Sequence, residues 1–246
     1  TTPSIAEGVT AVDANVAITD TDSGDSNTCT LGGTDAGDFS CTLTGQTAYS
    51  LAFSSAPDYD SPADANTDNV YAVTVTIDDG VNTGSTISYT VTVTDTNDQT
   101  PAVSVAATYN HAEAASTAFM AFTMVDSDTT GTYDCTIAGN DAADFAKSVS
   151  GKVCTITWAA NPDYENPADT GTNNVYDITI AFTDGTNALG AQTTAITVTD
   201  ANDQTPVYQA ADADDAISIA ENTATSTVVD NGVITDTDTG LSLIQL

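Results

Sequence analysis

The 246-residue sequence predicts an all-β fold of tandem Greek-key β-sandwich repeats joined end to end, on the strength of three observations. Its apolar residues are mainly Val, Ile, Ala, Tyr and Phe set among many Thr, a composition typical of strands. Apolar side chains recur at every second position between turn signals, which indicates half-buried strands. Long stretches of sequence also return about 105 positions later, which indicates an internal repeat.

Alternation of apolar with small or polar residues marks the individual strands. The clearest apolar positions are Tyr71, Val73, Val75 and Ile77; Ile87, Tyr89, Val91 and Val93; and Tyr176, Ile178, Ile180 and Phe182. Turn signals such as Asp79-Gly80 and Asp184-Gly185 separate such segments. About seven strands per ~100 residues predict a Greek-key sandwich rather than a helical or α/β fold, and no segment has convincing helical periodicity.

Self-comparison of the sequence divides it into copies. Residues 56–71 return as 161–176, and 92–101 return as 197–206. A third copy begins at Pro206 and stops in mid-pattern at Leu246. We therefore predict one repeat over residues 1–99, a second over 100–204, and the start of a truncated third over 205–246, as a window from a longer array.

The four cysteines fall as one pair in each repeat, which predicts disulfides and an oxidising compartment. Cys29 and Cys135 occupy equivalent positions, whereas Cys41 and Cys154 do not. Two neighbouring inward-facing strands can each reach the first cysteine, so the cross-link can differ between repeats of one fold. The predicted pairs are Cys29–Cys41 and Cys135–Cys154, each stabilising its domain by about 3 kcal/mol.

Charge is the most unusual property of the sequence. It contains 35 acidic residues against two lysines and no arginine, for a net charge of -33. So negative a surface repels nucleic acid and anionic lipid, which excludes both as partners and favours cations. No apolar run approaches the ~18 residues of a membrane helix, which argues against direct membrane insertion.

The four glutamates sit at positions that the repeat defines. Glu7, Glu113 and Glu221 are assigned to the first strand of each copy. Glu165 ends an Asp-Tyr-Glu segment in the second copy where the first copy has Asp60. The other 31 acids are all Asp. A coat of charge serving only solubility would not place its rarer acid so regularly.

Further acidic motifs accompany these glutamates in a fixed order. They are the linkers Asp95-Thr96-Asn97-Asp98-Gln99 and Asp200-Ala201-Asn202-Asp203-Gln204, the pairs Asp20/Asp22, Asp126/Asp128 and Asp236/Asp238, and the turn residues Asp79 and Asp184. Together, these motifs resemble the calcium-binding set of the cadherin repeat, and the resemblance spans nearly the whole chain. It implies cadherin/immunoglobulin-like sandwich domains with Ca²⁺ at their junctions.

The resemblance also implies which residues bind the metal. At the first junction they are Glu7, Asp58, Asp60, Asp95, Asn97, Asp98, Asp126, Asp128 and Asp184. At the second junction they are Glu113, Asp163, Glu165, Asp200, Asn202, Asp203, Asp236 and Asp238. Asp20, Asp22 and Asp79 would serve a junction upstream of Thr1. The chemistry agrees independently, because Ca²⁺ takes six to eight hard oxygen ligands from carboxylates, amides and carbonyls.

Three features depart from the family pattern. Gln replaces the final Asn of each linker, and Asp60 is a shorter ligand than the family's Glu. Each copy also carries an insert of alternating oxygen-bearing residues, at 64–69 and 169–174. An additional ion there is one interpretation of this pattern, and a solvated turn is the favoured one.

The predicted function is a calcium-stiffened structural or adhesive repeat of an extracellular protein, at the cell surface or secreted. Its style resembles the cadherin-like repeats of large bacterial or archaeal surface proteins, of adhesin, S-layer or filament type. Candidate partners are neighbouring repeats, identical chains in a filament or lattice, and a cell-surface target. Alternatives are a glycan- or protein-binding module, and a polymer subunit whose unfinished repeat is completed by strand exchange.

No enzyme is predicted. Asp-Thr-Gly at residues 169–171 and 238–240 is similar to an aspartic protease motif, but chance explains it in a chain so rich in these residues. The paired carboxylates lie in dense anionic clusters, whereas a glycosidase acid needs an apolar pocket that raises its pKa. His111, the single histidine, has no Ser or Cys partner pattern.

Overall fold

The computed structural model describes residues 1–21, 26–113, 118–209, 221 and 233–238. The chain forms two compact units. Unit 1 comprises Thr1–Pro101 with two later segments, Asp126–Thr132 and Asp184–Asn187; unit 2 comprises Ala102–Val125, Tyr133–Thr183 and Ala188–Leu246. Both units are built from strands, which confirms the predicted all-β fold.

Seven strands form unit 1. They are β1 (Ser4–Ala6), β2 (Ala11–Ala17), β3 (Thr28–Gly32), β4 (Phe39–Thr44), β5 (Ala48–Phe53), β6 (Val70–Asp78) and β7 (Thr83–Thr94). One sheet has the order β1-β7-β6-β3 and the other has the order β2-β5-β4, which is a two-sheet sandwich. A single turn of 3₁₀-helix at Ala36–Asp38 precedes β4.

The parallel pairing of β1 with β7 brings the start of the unit to its polar linker. Ile5 lies opposite Val93, and the N–H of Glu7 donates to the carbonyl of Thr94 at 3.0 Å. Glu7 itself lies one residue beyond β1 rather than within the first strand, where the sequence pattern assigns it. The register therefore delivers this carboxylate to the end of β7.

The core of unit 1 follows the predicted alternation. Buried residues recur at every second position along β5, and along β6 as far as Val75, as expected for strands with one face inward. The buried apolar residues are Phe39, Tyr49, Leu51, Phe53, Tyr71, Val73, Val75, Tyr89, Val91 and Val93. The hydroxyls of Tyr49 and Tyr89 lie 2.8 Å apart, and Tyr89 donates to Asp13 Oδ2 at 3.0 Å, so both buried phenols are hydrogen-bonded.

Unit 2 repeats this sandwich. Its strands are β8 (Thr108–Ala112), β9 (Ala118–Thr123), β10 (Asp134–Ala138), β11 (Phe145–Ser150), β12 (Val153–Trp158), β13 (Val175–Thr183), β14 (Ala188–Thr199), β15 (Val207–Gln209) and β16 (Val233–Thr235). One sheet has the order β10-β13-β14-β8, and the other has the order β11-β12-β9. A 3₁₀ turn at Ala142–Asp144 precedes β11, matching the first copy.

Aromatic packing defines the core of unit 2. Trp158 stacks on Phe145 at 4.5 Å between ring centroids and meets Tyr176 edge-on at 4.9 Å. Its Nε1–H donates to His111 Nδ1 at 3.2 Å, which places the single histidine in a packing role on β8. Burial lowers the pKa of His111, so the neutral ring that accepts this bond is favoured.

Both predicted disulfides are present. Cys29 on β3 joins Cys41 on β4, and Cys135 on β10 joins Cys154 on β12; the Cα atoms are 6.2 Å apart in each pair. The first cysteine of each pair lies in one sheet and the second lies in the other. Each bond therefore crosses its sandwich, and the second bond reaches a different strand from the first.

Little of the predicted third copy lies in the described part of the chain. β15 and β16 pair antiparallel, with Tyr208 opposite Ile234, and Glu221 is exposed. In the described residues, no helix is long and apolar enough to cross a membrane.

Candidate metal centres

Glu7 links two polar segments at one end of unit 1. Its Oε2 accepts the backbone N–H of Tyr59 at 2.7 Å. Its Oε1 accepts the backbone N–H of Thr96 at 2.7 Å and the Thr96 hydroxyl at 3.0 Å. This buried carboxylate thus brings the Asp58-Tyr59-Asp60 loop beside the linker that begins at Asp95.

The two later segments of unit 1 carry three further carboxylates to the same end. Asp95 Oδ2 accepts the N–H of Thr129 at 2.5 Å and also its hydroxyl. Asp128 Oδ2 accepts the N–H of Gln99 at 2.9 Å, and Asp126 Oδ1 accepts the N–H of Asp128. Asp184 follows β13 directly and caps its own turn. Backbone donors therefore hold these side chains in place without cationic residues.

Two groups of carboxylate oxygens result, in each of which the ligand atoms lie within 4.8 Å of one another. The first contains Asp60, Asp95 and Asp128, and the second contains Asp126, Asp128 and Asp184. Asp128, which is only 1% exposed, belongs to both. The Oδ2 atom of Asp60 and the Oδ1 atom of Asp95 are buried and have no hydrogen-bond partner. Buried anionic oxygens without donors are costly and call for a cation.

Burial and neighbouring charges oppose the ionisation of Asp60 and Asp128. Burial raises the pKa of Asp60; the Glu7, Asp95 and Asp58 carboxylates raise it further, against a hydrogen bond from Ser127. Burial likewise raises the pKa of Asp128, and neighbouring carboxylates add to this shift. A divalent cation bound among these groups would reverse the effect.

Asp184 responds differently from its neighbours in the cluster. Burial alone would raise the pKa of Asp184, but the N–H groups of Asn187 and Thr186, each 2.7 Å from its Oδ1, hold that pKa below its ordinary value. Asp184 therefore stays ionised more readily than Asp60 or Asp128 and is ready to bind a cation.

The amide of Asn97 lies beside two members of the second group, Asp128 and Asp184. One of its two terminal atoms is 3.0 Å from Asp128 Oδ2 and 3.0 Å from Asp184 Oδ2. With Nδ2 turned toward these carboxylates, the amide donates to both; with Oδ1 turned toward them, three oxygens converge. An amide oxygen beside two carboxylates is the donor set that Ca²⁺ takes, so the residues present fit this ion.

Unit 2 repeats the arrangement at the end of its second sequence copy. Glu113 accepts the N–H of Tyr164 at 2.6 Å and the N–H of Ala201 at 2.6 Å, as Glu7 does in unit 1. The groups within 4.8 Å are Glu113, Glu165 and Asp203, and Glu165, Asp200 and Asp238. Both Glu165 oxygens are buried without a hydrogen-bond partner. Burial and then Glu113, Asp200 and Asp238 raise the pKa of Glu165.

Some predicted ligands are close to these groups without belonging to them. Asp58 is exposed, and its Oδ1 accepts the N–H groups of Asp60 and Ser61; Asp163 does the same for Asn166. Asp98 accepts the side-chain amide of Gln99 at 2.9 Å. Asn202 lies on the unit 2 linker, and Asp236 Oδ1 accepts the N–H of Asp238.

The upstream set is described only in part. Asp79 Oδ1 accepts the N–H groups of Val81 and Asn82, the turn that Asp184 makes in the second copy. Asp20 is exposed, and Asp22 lies outside the described residues.

Two buried acids, Asp35 and Asp141, were not predicted to have a role. Asp35 Oδ1 and Oδ2 accept the N–H groups of Ala65 and Ala72, and Asp141 makes the equivalent bonds to Thr170 and Asp177. Both precede a matching 3₁₀ turn in the two copies, so the repeat of Asp at this equivalent position was the available signal. They anchor the insert loops rather than face the clusters.

No protein-family model matches the chain, and no curated protein sequence matches it. Solved structures do. Mouse cadherin-23 domains EC22–24 are 21% identical, with a TM-score of 0.63 over 97% of this chain and 75% of that one. The protocadherin gammaB7 EC3–6 cis-dimer structure is 21% identical, with a TM-score of 0.58 over 97% and 54%. Extracellular cadherin domains 3–6 of protocadherin gamma B2 are 20% identical, with a TM-score of 0.54 over 97% and 54%. The chain thus spans about half the length of these two protocadherin chains, and at such identities the likeness establishes a cadherin-like fold.

Proposed function

We propose that this chain is a calcium-stiffened structural or adhesive repeat of an extracellular stalk or filament, with Ca²⁺ clusters where successive repeats meet. The observation that carries the proposal is the buried carboxylate oxygen without a hydrogen-bond partner, found in both units. In unit 1 these atoms belong to Asp60 and Asp95, and in unit 2 to Glu165. A folded chain tolerates such buried anionic oxygens when a bound cation compensates their charge.

Calcium is the ion that this donor set favours. The groups of carboxylates contain Asp and Glu alone, with the Asn97 amide beside one of them. Oxygen donors of mixed type suit a large, hard cation with six to eight ligands, whereas zinc prefers Cys and His. Bound Ca²⁺ would supply positive charge that offsets the mutual repulsion of these carboxylates.

The chain's own residues explain how such binding would stiffen it. Asp60 and Asp95 belong to the first sequence copy, whereas Asp126, Asp128 and Asp184 belong to the second. Carboxylates of both copies in one ligand set tie the copies together through the ion. Glu7 keeps the ligand loop and the linker in register through its three hydrogen bonds. Removing the cation leaves the repulsion and loosens the link.

An extracellular setting agrees with the chemistry of the proposal. Calcium sites of extracellular modules bind at about 10⁻⁴–10⁻³ M, near the concentration outside cells. Two disulfides require an oxidising compartment. Placement in a prokaryotic adhesin, S-layer or filament stays a hypothesis from sequence resemblance. The role proposed is structural rather than catalytic.

Self-association is proposed as a secondary property. One solved neighbour is a cis-dimer of protocadherin domains, which supports a second copy of this chain as a partner. Sedimentation velocity with calcium across a concentration series tests this, and a single monomer species throughout would reject it. Recognition of a glycan is less favoured, because the large apolar side chains exposed in the described residues are four valines and no aromatic.

Calcium titration and small-angle scattering test the main proposal. Chelator-treated protein should bind Ca²⁺ in a calorimeter, and calcium should increase the maximum dimension of the particle relative to the chelated sample. Asp128→Asn should reduce both effects, whereas Asp177→Asn, at an exposed strand position outside the clusters, should reduce neither. Absence of binding, or an unchanged scattering profile, would reject the proposed mechanism.

A further inference from the structure

The insert loops at 64–69 and 169–174 use their acids to close themselves. Asp64 Oδ2 and Oδ1 accept the N–H groups of Asp68 at 2.9 Å and of Asn69 at 3.2 Å. Asp169 makes the same two bonds in the second copy, at 3.0 and 2.9 Å. These oxygens therefore serve the loop, as in a turn closed by its own Asp side chain, rather than an additional cation.

Each loop is fastened to the sandwich on both sides. Asp35, which is buried, accepts the N–H of Ala65 within the loop at 2.9 Å and that of Ala72 on β6 at 2.7 Å. The hydroxyl of Tyr71 accepts the N–H of Ala63 at 3.1 Å. These hydrogen bonds hold the loop against the sandwich and fix the position of its last residue, Asn69.

Asn69 connects two segments that carry predicted metal ligands. Its Nδ2 donates to the carbonyl of Tyr59 at 2.9 Å, and Tyr59 lies between Asp58 and Asp60. Its own carbonyl accepts the N–H of Val93 at 2.9 Å, two residues before Asp95. Asn69 therefore ties the ligand loop to the strand that leads into the linker, in addition to the connection that Glu7 makes.

The second copy contains the same connection. Asn174 Nδ2 donates to the carbonyl of Tyr164 at 2.9 Å, and the N–H of Val198 donates to the carbonyl of Asn174 at 2.9 Å. Tyr164 precedes Glu165, and Val198 precedes Asp200 by two residues. Two different loop sequences thus arrive at one geometry around their final Asn.

Backbone conformation alone does not account for Asn at these positions. Asn69 and Asn174 have φ of 63° and 61°, a region where Gly is the least strained residue. Their Oδ1 atoms are buried without a hydrogen-bond partner, a cost that Gly would avoid. The Nδ2 bond to the ligand loop is the contribution that offsets this cost.

We propose that Asn69 and Asn174 are positioning residues of the calcium centres, each holding its ligand loop through the carbonyl of the central Tyr. Asn69 keeps Asp60 turned toward Asp95, and Asn174 keeps Glu165 turned toward Asp200. This inference rests on the proposed function. Losing the bond lets the loop rotate away, so that water replaces a carboxylate ligand on the ion.

Asn69→Gly tests the inference, because it tolerates the positive φ and removes the side-chain amide that donates to the Tyr59 carbonyl. Thr67→Gly is the matched control, since Thr67 is an exposed residue of the same loop with φ of 58°. Calorimetry with Ca²⁺ should show about three- to tenfold weaker binding at one of the two centres in Asn69→Gly, on the scale of one lost hydrogen bond, and no change in Thr67→Gly. Asn174→Gly should weaken the other centre.

Luminescence of bound Tb³⁺ separates positioning from stability. Its lifetimes in H₂O and D₂O count the waters on the ion, and this count should rise in Asn69→Gly but stay at the wild-type value in Thr67→Gly. Should the glycine variant unfold, Asn69→Asp keeps the shape and removes the donor, and its water count should also rise. Wild-type affinity and hydration in the Asn69 variants would overturn the inference. Failure of the wild-type chain to bind either ion would instead overturn the proposed function.

Discussion

At the scale of single residues, Asp60 and Glu165 occupy the same position in the two copies but take different parts in their clusters. Asp60 belongs to one group of converging carboxylates, whereas Glu165 belongs to two. The additional methylene of Glu165 allows its carboxylate to approach two sets of acids. One set is Glu113 and Asp203, and the other is Asp200 and Asp238. A carboxylate that belongs to two groups can bridge two ions. The shorter side chain of Asp60 belongs to only one group.

Asp60→Glu should therefore tighten calcium binding in unit 1 by about three- to tenfold, the scale of one charged contact. Glu165→Asp should weaken binding in unit 2 by a similar factor. Calorimetric titration of both variants checks the pair, with Asp177→Asn as the control for a changed acid outside the clusters. Equal affinities in wild type and Asp60→Glu would show that side-chain length is irrelevant at this position.

Asp128 is the residue on which both unit 1 groups depend. Asp128→Asn removes one negative charge from a buried cluster, so the metal-free chain should gain thermal stability. The same change should abolish most of the calcium-induced rise in Tm, because a ligand of both groups is lost. Differential scanning calorimetry with chelator and with excess calcium measures both effects. A variant that loses stability in chelator would contradict the proposed repulsion.

Residue types and spacing predicted all of the acids in the converging groups, including Asp95, Asp126 and Asp128. They did not distinguish Asp58 or Asp98, which accept hydrogen bonds from neighbouring donors and lie outside the groups. The reason is physical: a sequence motif gives the ligand type, whereas the direction in which each side chain points depends on the folded backbone. Asn69 was missed for the same reason.

At the scale of elements, the period of two predicted the strands correctly because one face of each is buried. The residues from Tyr71 to Ile77 lie on β6, and those from Ile87 to Val93 lie on β7. The insert loops were less predictable. Alternating Asp, Asn and Thr suits either a cation loop or a turn closed by its own N–H groups, and these two outcomes share one sequence pattern. The direction of the Asp64 and Asp169 side chains decides between them.

The disulfides give the clearest prediction at this scale. Cys135→Ser with Cys154→Ser removes the disulfide cross-link between β10 and β12. Unfolding of unit 2 should become easier by about 3 kcal/mol, since closing a loop of this size restricts the unfolded chain. Chemical denaturation measures it, and the matching Cys29→Ser with Cys41→Ser variant should affect the transition of unit 1 instead. An unchanged unit 2 transition would count against the cross-link as a stabilising element.

At the scale of the whole molecule, the net charge is -33. The stability of the chain therefore depends on the ions and protons that neutralise this charge. Monovalent salt screens exposed charges beyond the Debye length, about 8 Å at physiological ionic strength, but acts weakly on buried clusters. Protons and divalent cations are the agents that reach the buried carboxylates. They compete for the same oxygens, so acid and calcium should oppose each other.

This competition predicts opposite pH dependences for the two states of the chain. In the metal-free chain, burial and neighbouring carboxylates raise the pKa of Asp60, Asp128 and Glu165 above their unfolded values. A raised folded pKa contributes stability below the unfolded value and loses it as the pH rises through the folded value. The metal-free chain should therefore become more stable as the pH falls from neutral toward the unfolded carboxyl pKa of about 4. Carboxylates whose pKa is lowered, such as Asp184, act in the other direction only at lower pH.

In excess calcium the sign should reverse over the same interval. Calcium binds the ionised carboxylates, so their protonation weakens binding and removes the stability that binding adds. Melting curves at pH 7, 6 and 5, recorded with chelator and with calcium, should converge as the pH falls. Asp128→Asn should flatten both dependences, because the shared titrating group is gone. Parallel curves would mean that these buried acids are not where calcium binds, because a cation held at any other place would not compete with their protons.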